Sequence, residues 1–145
     1  MKKLSLILIF FSIFFIPSHS NQSVEEIIKG RKAMFSANYQ NAKKISILLK
    51  SKRIDEAKPL MVKISNNYKE LLNYFPENTQ EGFKTEALPS IWENKDEFNA
   101  LMQKASDDMI ELTKAINTVK DFQKIQKELM WNNCSSCHNR FRAPH

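Results

Sequence analysis

Near its C-terminus the chain reads Asn133-Cys134-Ser135-Ser136-Cys137-His138, and these are the only two cysteines among 145 residues. Thiols one helical turn apart can each add across a vinyl group of a haem, and a histidine directly after the second thiol reaches the iron as an axial ligand. At about 100° per residue, Cys134 and His138 lie about 40° apart on a helix and Cys134 and Cys137 about 60° apart. All three therefore share one face. The pattern predicts one covalently bound haem c per chain, attached through Cys134 and Cys137, with His138 on the iron.

The same residue types could do other chemistry. A thioredoxin-like C-x-x-C redox site expects a strand and helix setting, which this chain does not offer. Zinc could draw on Cys134, Cys137, His138 and His145, yet adjacent Cys137 and His138 are awkward for one tetrahedral ion and His145 is the last residue. The thiols are also too close in sequence to staple distant segments, so a disulfide framework is excluded. No Ser/His/Asp or paired-carboxylate arrangement can be argued. The expectation is a haem-binding or electron-transfer protein, not an enzyme.

A helix must carry this motif, and the rest of the chain is helical in pattern. Two Gly and five Pro leave little turn chemistry for hairpins. Ser23-Val24-Glu25-Glu26 reads as a capping box opening a first helix, with Ile28, Arg31, Phe35, Asn38, Ala42 and Ile45 on one stripe. A second helix spans about Asp55 to Phe75, with Pro59 tolerable only in its first turn. Pro76 to Ser90 reads as a long crossover. A third helix spans about Trp92 to Asn117, with Asn94 and Glu97 as candidate caps. The fourth starts at Asp121 and runs to about Arg142 with Phe122, Ile125, Leu129, Asn133 and Cys137 on one face. Helices of this length, about 30 Å, form an all-α antiparallel four-helix bundle able to enclose a haem.

Not all of the chain belongs to that bundle. Lys2 and Lys3, the apolar run Leu4 to Ile16, and Ser18-His19-Ser20 make the three parts of a secretory signal cut after Ser20. The predicted organisation is a signal peptide over 1–20 and the bundle over 21–145. Thirteen apolar residues fall short of the ~20 of a spanning helix, so no membrane span is expected after cleavage. The net charge of +6 comes from 22 basic and 16 acidic residues spread along the helices. Without a basic stripe interleaved with exposed aromatics, nucleic acid is excluded. Docking to an acidic redox partner protein stays open.

A bundle with C-x-x-C-H near the C-terminus resembles the cytochrome c′ family. Cys134-Ser-Ser-Cys137-His138-Asn-Arg-Phe141-Arg142 fits the family's C-x-x-C-H-x-x-aromatic-Arg ending, and Pro89-Ser-Ile-Trp92 with Phe98 is similar to its third-helix entry. The resemblance implies that Arg31 and Phe35 match the first-helix Arg and the side chain four residues on that covers the haem's distal face, opposite His138. Arg31 on an apolar stripe is costly unless paired, and haem propionates suit it; a rim contact to Glu25 or Glu26 is the alternative. Arg142, one turn beyond His138, can cover the proximal side. Met34 alone of the five methionines after the signal sits near the distal face, the others reading as core. Two functions follow. With Phe35 blocking but not ligating, the iron is five-coordinate and binds nitric oxide or carbon monoxide; with Met34 as sixth ligand, the protein is a low-spin periplasmic electron carrier. Family members are often homodimers through their first two helices, but those segments here have exposed Lys, Asn and Ser, and monomer and dimer both stay open.

Overall fold

The computed structural model describes residues 22–144. The signal-peptide reading of 1–20 and the zinc role of His145 lie outside them. The first helix, α1 (Val24–Lys50), begins as the sequence predicts: Ser23 Oγ accepts from Glu26 N at 3.2 Å while Glu26 Oε2 accepts from Ser23 N at 2.8 Å. After a turn with Lys52 at φ 58°, α2 (Ile54–Leu71) runs back along it. Pro59 lies in the second turn of α2, later than expected. It is exposed, as is Asp55, so the Asp55 carbonyl that loses its helical donor meets water.

A short 3-10 turn (Leu72–Tyr74) ends this hairpin and leads into the crossover. Glu77–Thr79 forms a second such turn, and Gly82, Phe83 and Lys84 follow in left-handed conformation at φ 92°, 48° and 53°. The chain then pairs with the far end of the molecule. Ala87 forms an isolated antiparallel bridge with Arg142, Leu88 N donates to Phe141 O at 3.0 Å, and Ala143 N to Glu86 O at 2.8 Å.

The expected third helix is two pieces, α3 (Ser90–Glu93) and α4 (Lys95–Ala115), broken at Asn94 (φ −125°, ψ 49°). Asn94 Nδ2 donates to Ser90 O at 3.2 Å and makes no cap bond, the competition with helix that short amides offer. The break seats Trp92, whose Nε1 donates to Phe75 O at 3.1 Å and Pro76 O at 3.2 Å. Glu97 caps nothing and pairs instead with Arg140.

The fourth helix is also interrupted. Asp121 Oδ1 accepts from Lys124 N at 2.9 Å and caps α5 (Phe122–Gln126). One π-helical turn (Lys127–Trp131) follows, and α6 (Asn132–Phe141) carries the motif. Counting α5, the π turn and α6 as one leg, the molecule is an antiparallel four-helix bundle, with α2 packed between α1 and α4. Among the described residues no helix is long and apolar enough to cross a membrane.

Two apolar clusters fill the bundle. One gathers Ile45, Leu49, Met61, Ile64, Met109 and Leu112 among others; the second gathers Leu71, Phe75, Ile91, Phe98, Met102 and Phe141. Met61, Met102, Met109 and Met130 are all buried in these cores, as their spacing predicts. Tyr68 packs against both clusters.

Candidate haem site

The π turn sits directly before the motif and sets how α6 faces the bundle. A π turn takes up one residue more than an α turn. Asn133 fixes the rotation that results: its Nδ2 donates to Asp108 Oδ2 of α4 at 2.9 Å and to Leu129 O of the π turn at 2.9 Å. On the far side of the turn, Gln126 Nε2 donates to Ser46 Oγ of α1 at 2.5 Å.

Cys134 and Cys137 are free thiols and half-buried. Cys134 Sγ donates to Met130 O at 3.5 Å, and the Tyr68 phenol neighbours the same sulfur. Burial pushes both thiols up, Cys137 to about 11, and pushes the Tyr68 phenol up as well. At neutral pH these groups are uncharged. Cys137 packs against the second apolar cluster together with Met34, Phe35, Tyr68, Leu72 and Leu101. Phe35, assigned from sequence to the distal face, and Cys137, assigned to haem attachment, thus border one apolar region.

His138 is exposed on the last turn of α6, and Arg142 Nη1 lies 3.4 Å from its Nε2. Arg142 Nε is 4.0 Å from Glu86 Oε2, so the crossover holds this guanidinium beside the histidine. Two thiols on one face, a histidine ring at the surface and an adjoining apolar cluster form a donor set that fits covalent haem. A metal ion held by side chains alone finds less here: among the described residues no three His, Cys, Asp or Glu are gathered for one.

Arg31 is buried, with 2% of its surface exposed. The sequence offered it no partner on the apolar faces, and the structure supplies four, one from Tyr74 and three from the crossover. Nη1 donates to Thr79 Oγ1 at 3.0 Å and Tyr74 O at 3.2 Å; Nη2 donates to Thr79 O at 2.8 Å and Thr85 Oγ1 at 2.7 Å. The guanidinium also lies 4.7 Å from the Phe75 ring centroid and 5.8 Å from that of Trp92. Burial pulls its pKa down to about 10. The rim alternative does not hold, because Glu26 bonds Ser23 and Glu25 pairs with Lys29. These hydrogen-bond partners are all neutral oxygens, so the charge is solvated but not balanced.

Phe35 and Met34 are half-buried, Phe35 with its ring 6.4 Å from Phe75. Trp131 packs edge-on against Tyr39 of α1 at 6.4 Å. Sequence reasoning placed Asn38 on a core stripe and assigned it no further part. Asn38 Oδ1 accepts from Asn67 Nδ2 at 2.7 Å, while its own Nδ2 is buried without a partner.

A helical bundle presenting C-x-x-C-H on its last leg defines a c-type haem protein. The family model described as "Cytochrome C'" matches residues 26–142, and the chain belongs to that family. Cytochrome c′ of Rhodopseudomonas palustris is 32% identical over 123 residues, covering 81% of this chain and 82% of that protein. A solved structure of cytochrome c′ from Rhodopseudomonas palustris superposes with a TM-score of 0.72 at 29% identity, over 85% of this chain and 98% of that one. The nitric oxide complex of a leucine-to-alanine mutant of cytochrome c′ from Alcaligenes xylosoxidans gives a TM-score of 0.72 at 16% identity, over 85% and 98% of the two chains. That last likeness shows the fold. Family membership implies covalently bound haem c.

Proposed function

We propose that this chain is an exported, periplasmic haem protein that binds nitric oxide or carbon monoxide at a five-coordinate iron, with one haem held by Cys134, Cys137 and His138. When bound, the haem supplies an iron site able to take a diatomic gas opposite its histidine ligand. The observation that carries this reading is Phe35, packed against the same cluster as Cys137 and having no lone pair to give a metal. The structural relative from Alcaligenes xylosoxidans was solved with nitric oxide, which supports the same ligand class.

The chain's own residues divide the work. Cys134 and Cys137 anchor the group by two thioethers, each thiol adding sulfur and proton across one vinyl double bond. Arg142 holds a positive charge against the proximal histidine. Arg31, with an unbalanced charge at the crossover end, attracts a propionate. A second reading keeps Met34, also packed against this cluster, as a sixth ligand in a low-spin electron carrier.

One experiment tests the proposal. Protein matured in a cytochrome c-producing host keeps its haem through acid-acetone extraction and gains one haem in mass, and its visible spectra are high-spin in both oxidation states. The pair Cys134→Ala with Cys137→Ala abolishes retention. Zinc in place of haem would overturn the reading, and a low-spin spectrum would select the electron carrier.

A further inference from the structure

Asn38 lies on the buried stripe of α1, one turn beyond Phe35, and is 4% exposed. Asn67 Nδ2 of α2 donates to its Oδ1, which orients the amide. The other end, Nδ2, has two N–H groups to give and meets no acceptor. Burying a donor in this way forfeits its hydration for nothing in return. A leucine or methionine would avoid that cost, as those residues do elsewhere in these cores.

The position of the amide gives the donor a use. Toward the N-terminus of α1 stand Met34 and Phe35, which pack with Cys137; toward the C-terminus stand Ala42 and Ile45 of the first cluster. Tyr68, next to Asn67, packs against both clusters and neighbours Cys134. The amide therefore sits at the seam of the two cores, on the stripe that carries Phe35. Asn99 Oδ1 is also buried without a partner, but it is an acceptor, and a diatomic gas has no hydrogen to give it.

We propose that Asn38 sets ligand preference: its unpaired amide N–H donates to the outer atom of a diatomic ligand bound opposite His138. This rests on the five-coordinate reading above. It favours diatomics whose outer atom carries negative charge, nitric oxide and dioxygen, over the less polar carbon monoxide. Phe35 and Met34 supply bulk and exclude water, and Asn38 supplies the polar contact.

Carbon monoxide on the ferrous holoprotein is the probe, because a nearby donor draws electron density into its antibonding orbital and lowers its stretching wavenumber. In Asn38→Leu the wavenumber rises, and nitric oxide release accelerates roughly three- to tenfold, as loss of one hydrogen bond requires. Asn67→Leu removes the bond that orients the amide but keeps the donor, and raises the wavenumber by less than Asn38→Leu does. Should Asn38→Leu fail to fold, wild type in D2O still reports, since an amide N–D shifts the band. An unchanged band in Asn38→Leu, an equal rise in Asn67→Leu, or no D2O effect overturns the inference while leaving the five-coordinate reading intact. A wild-type protein that forms no carbon monoxide complex overturns both.

Discussion

Asn133 Nδ2 donates to Asp108 Oδ2 at 2.9 Å, joining α4 to the residue immediately before Cys134. Asp108 is 8% exposed and also holds Lys104, so its carboxylate is spent on fixing the angle at which α6 leaves the π turn. Asp108→Ala leaves the Asn133 amide only its bond to the Leu129 carbonyl and costs about 1–3 kcal/mol in urea unfolding. A double-mutant cycle with Asn133→Ala yields a coupling of about 1 kcal/mol; additive losses would mean that the contact does not bind the two helices.

Arg31 ties α1 to Tyr74 and the crossover through four oxygens, two of them hydroxyls of Thr79 and Thr85. Arg31→Met leaves those oxygens facing an apolar chain and destabilises by about 2–4 kcal/mol. Arg31→Lys recovers little, because an ammonium lacks the two-pronged geometry. Proteolysis within residues 80–86 speeds up in both variants. With the guanidinium pKa at about 10, the loss is constant across pH 5 to 8. As pH rises through about 10 the folded chain gives up a proton that the unfolded chain keeps, so this titration adds stability as pH rises.

Gly30 is the neighbour that allows this clamp to close. A Cβ there would stand 2.7 Å from Tyr74 Cε1, and the Tyr74 carbonyl is one of the Arg31 acceptors. Gly30→Ala gains helix propensity yet is expected to lose about 1–3 kcal/mol by displacing the ring. A raised melting temperature would show that Tyr74 yields freely.

Periodicity and capping were enough to read α1, since its Ser23 and Glu26 act within three residues of each other. The breaks at Asn94 and in Lys127–Trp131 could not be read that way. Each answers to a distant partner: Trp92 reaching the Phe75 carbonyl, and Asn133 reaching Asp108. Cys134, Cys137 and His138 were legible because their chemistry demands one fixed spacing. The partners of Arg31 were not, because they come from Tyr74 and a crossover whose short 3-10 turns carry no periodic signal, 43 to 54 residues away. The spare donor of Asn38 was hidden for a related reason. Its stripe position is visible in the sequence, but the single bond from Asn67 is a tertiary fact.

Arg142 stands 3.4 Å from the His138 ring nitrogen, with Glu86 4.0 Å away on its other side. A fixed positive charge beside the axial ligand favours the reduced, less positive iron by Coulomb's law. Arg142→Gln is expected to lower the reduction potential by tens of millivolts, and Glu86→Gln, which unmasks the guanidinium, to raise it. Potentiometric titration checks both signs. Equal shifts in one direction would assign the effect to packing at the crossover.

The distal face can be decided by two side chains on α1. Phe35 shares the Arg31 stripe, whereas Met34 lies about 100° from it around the helix. Both border the cluster that holds Cys137, yet only one can point at iron. If Phe35 does, it blocks without ligating, so Phe35→Ala speeds carbon monoxide binding in stopped-flow mixing, and Met34→Leu leaves the spectrum unchanged. Loss of a long-wavelength thioether-to-iron charge-transfer band in ferric Met34→Leu would reverse the assignment. Iron would then carry two protein ligands, gas binding would require displacement of the thioether, and the protein would be an electron carrier.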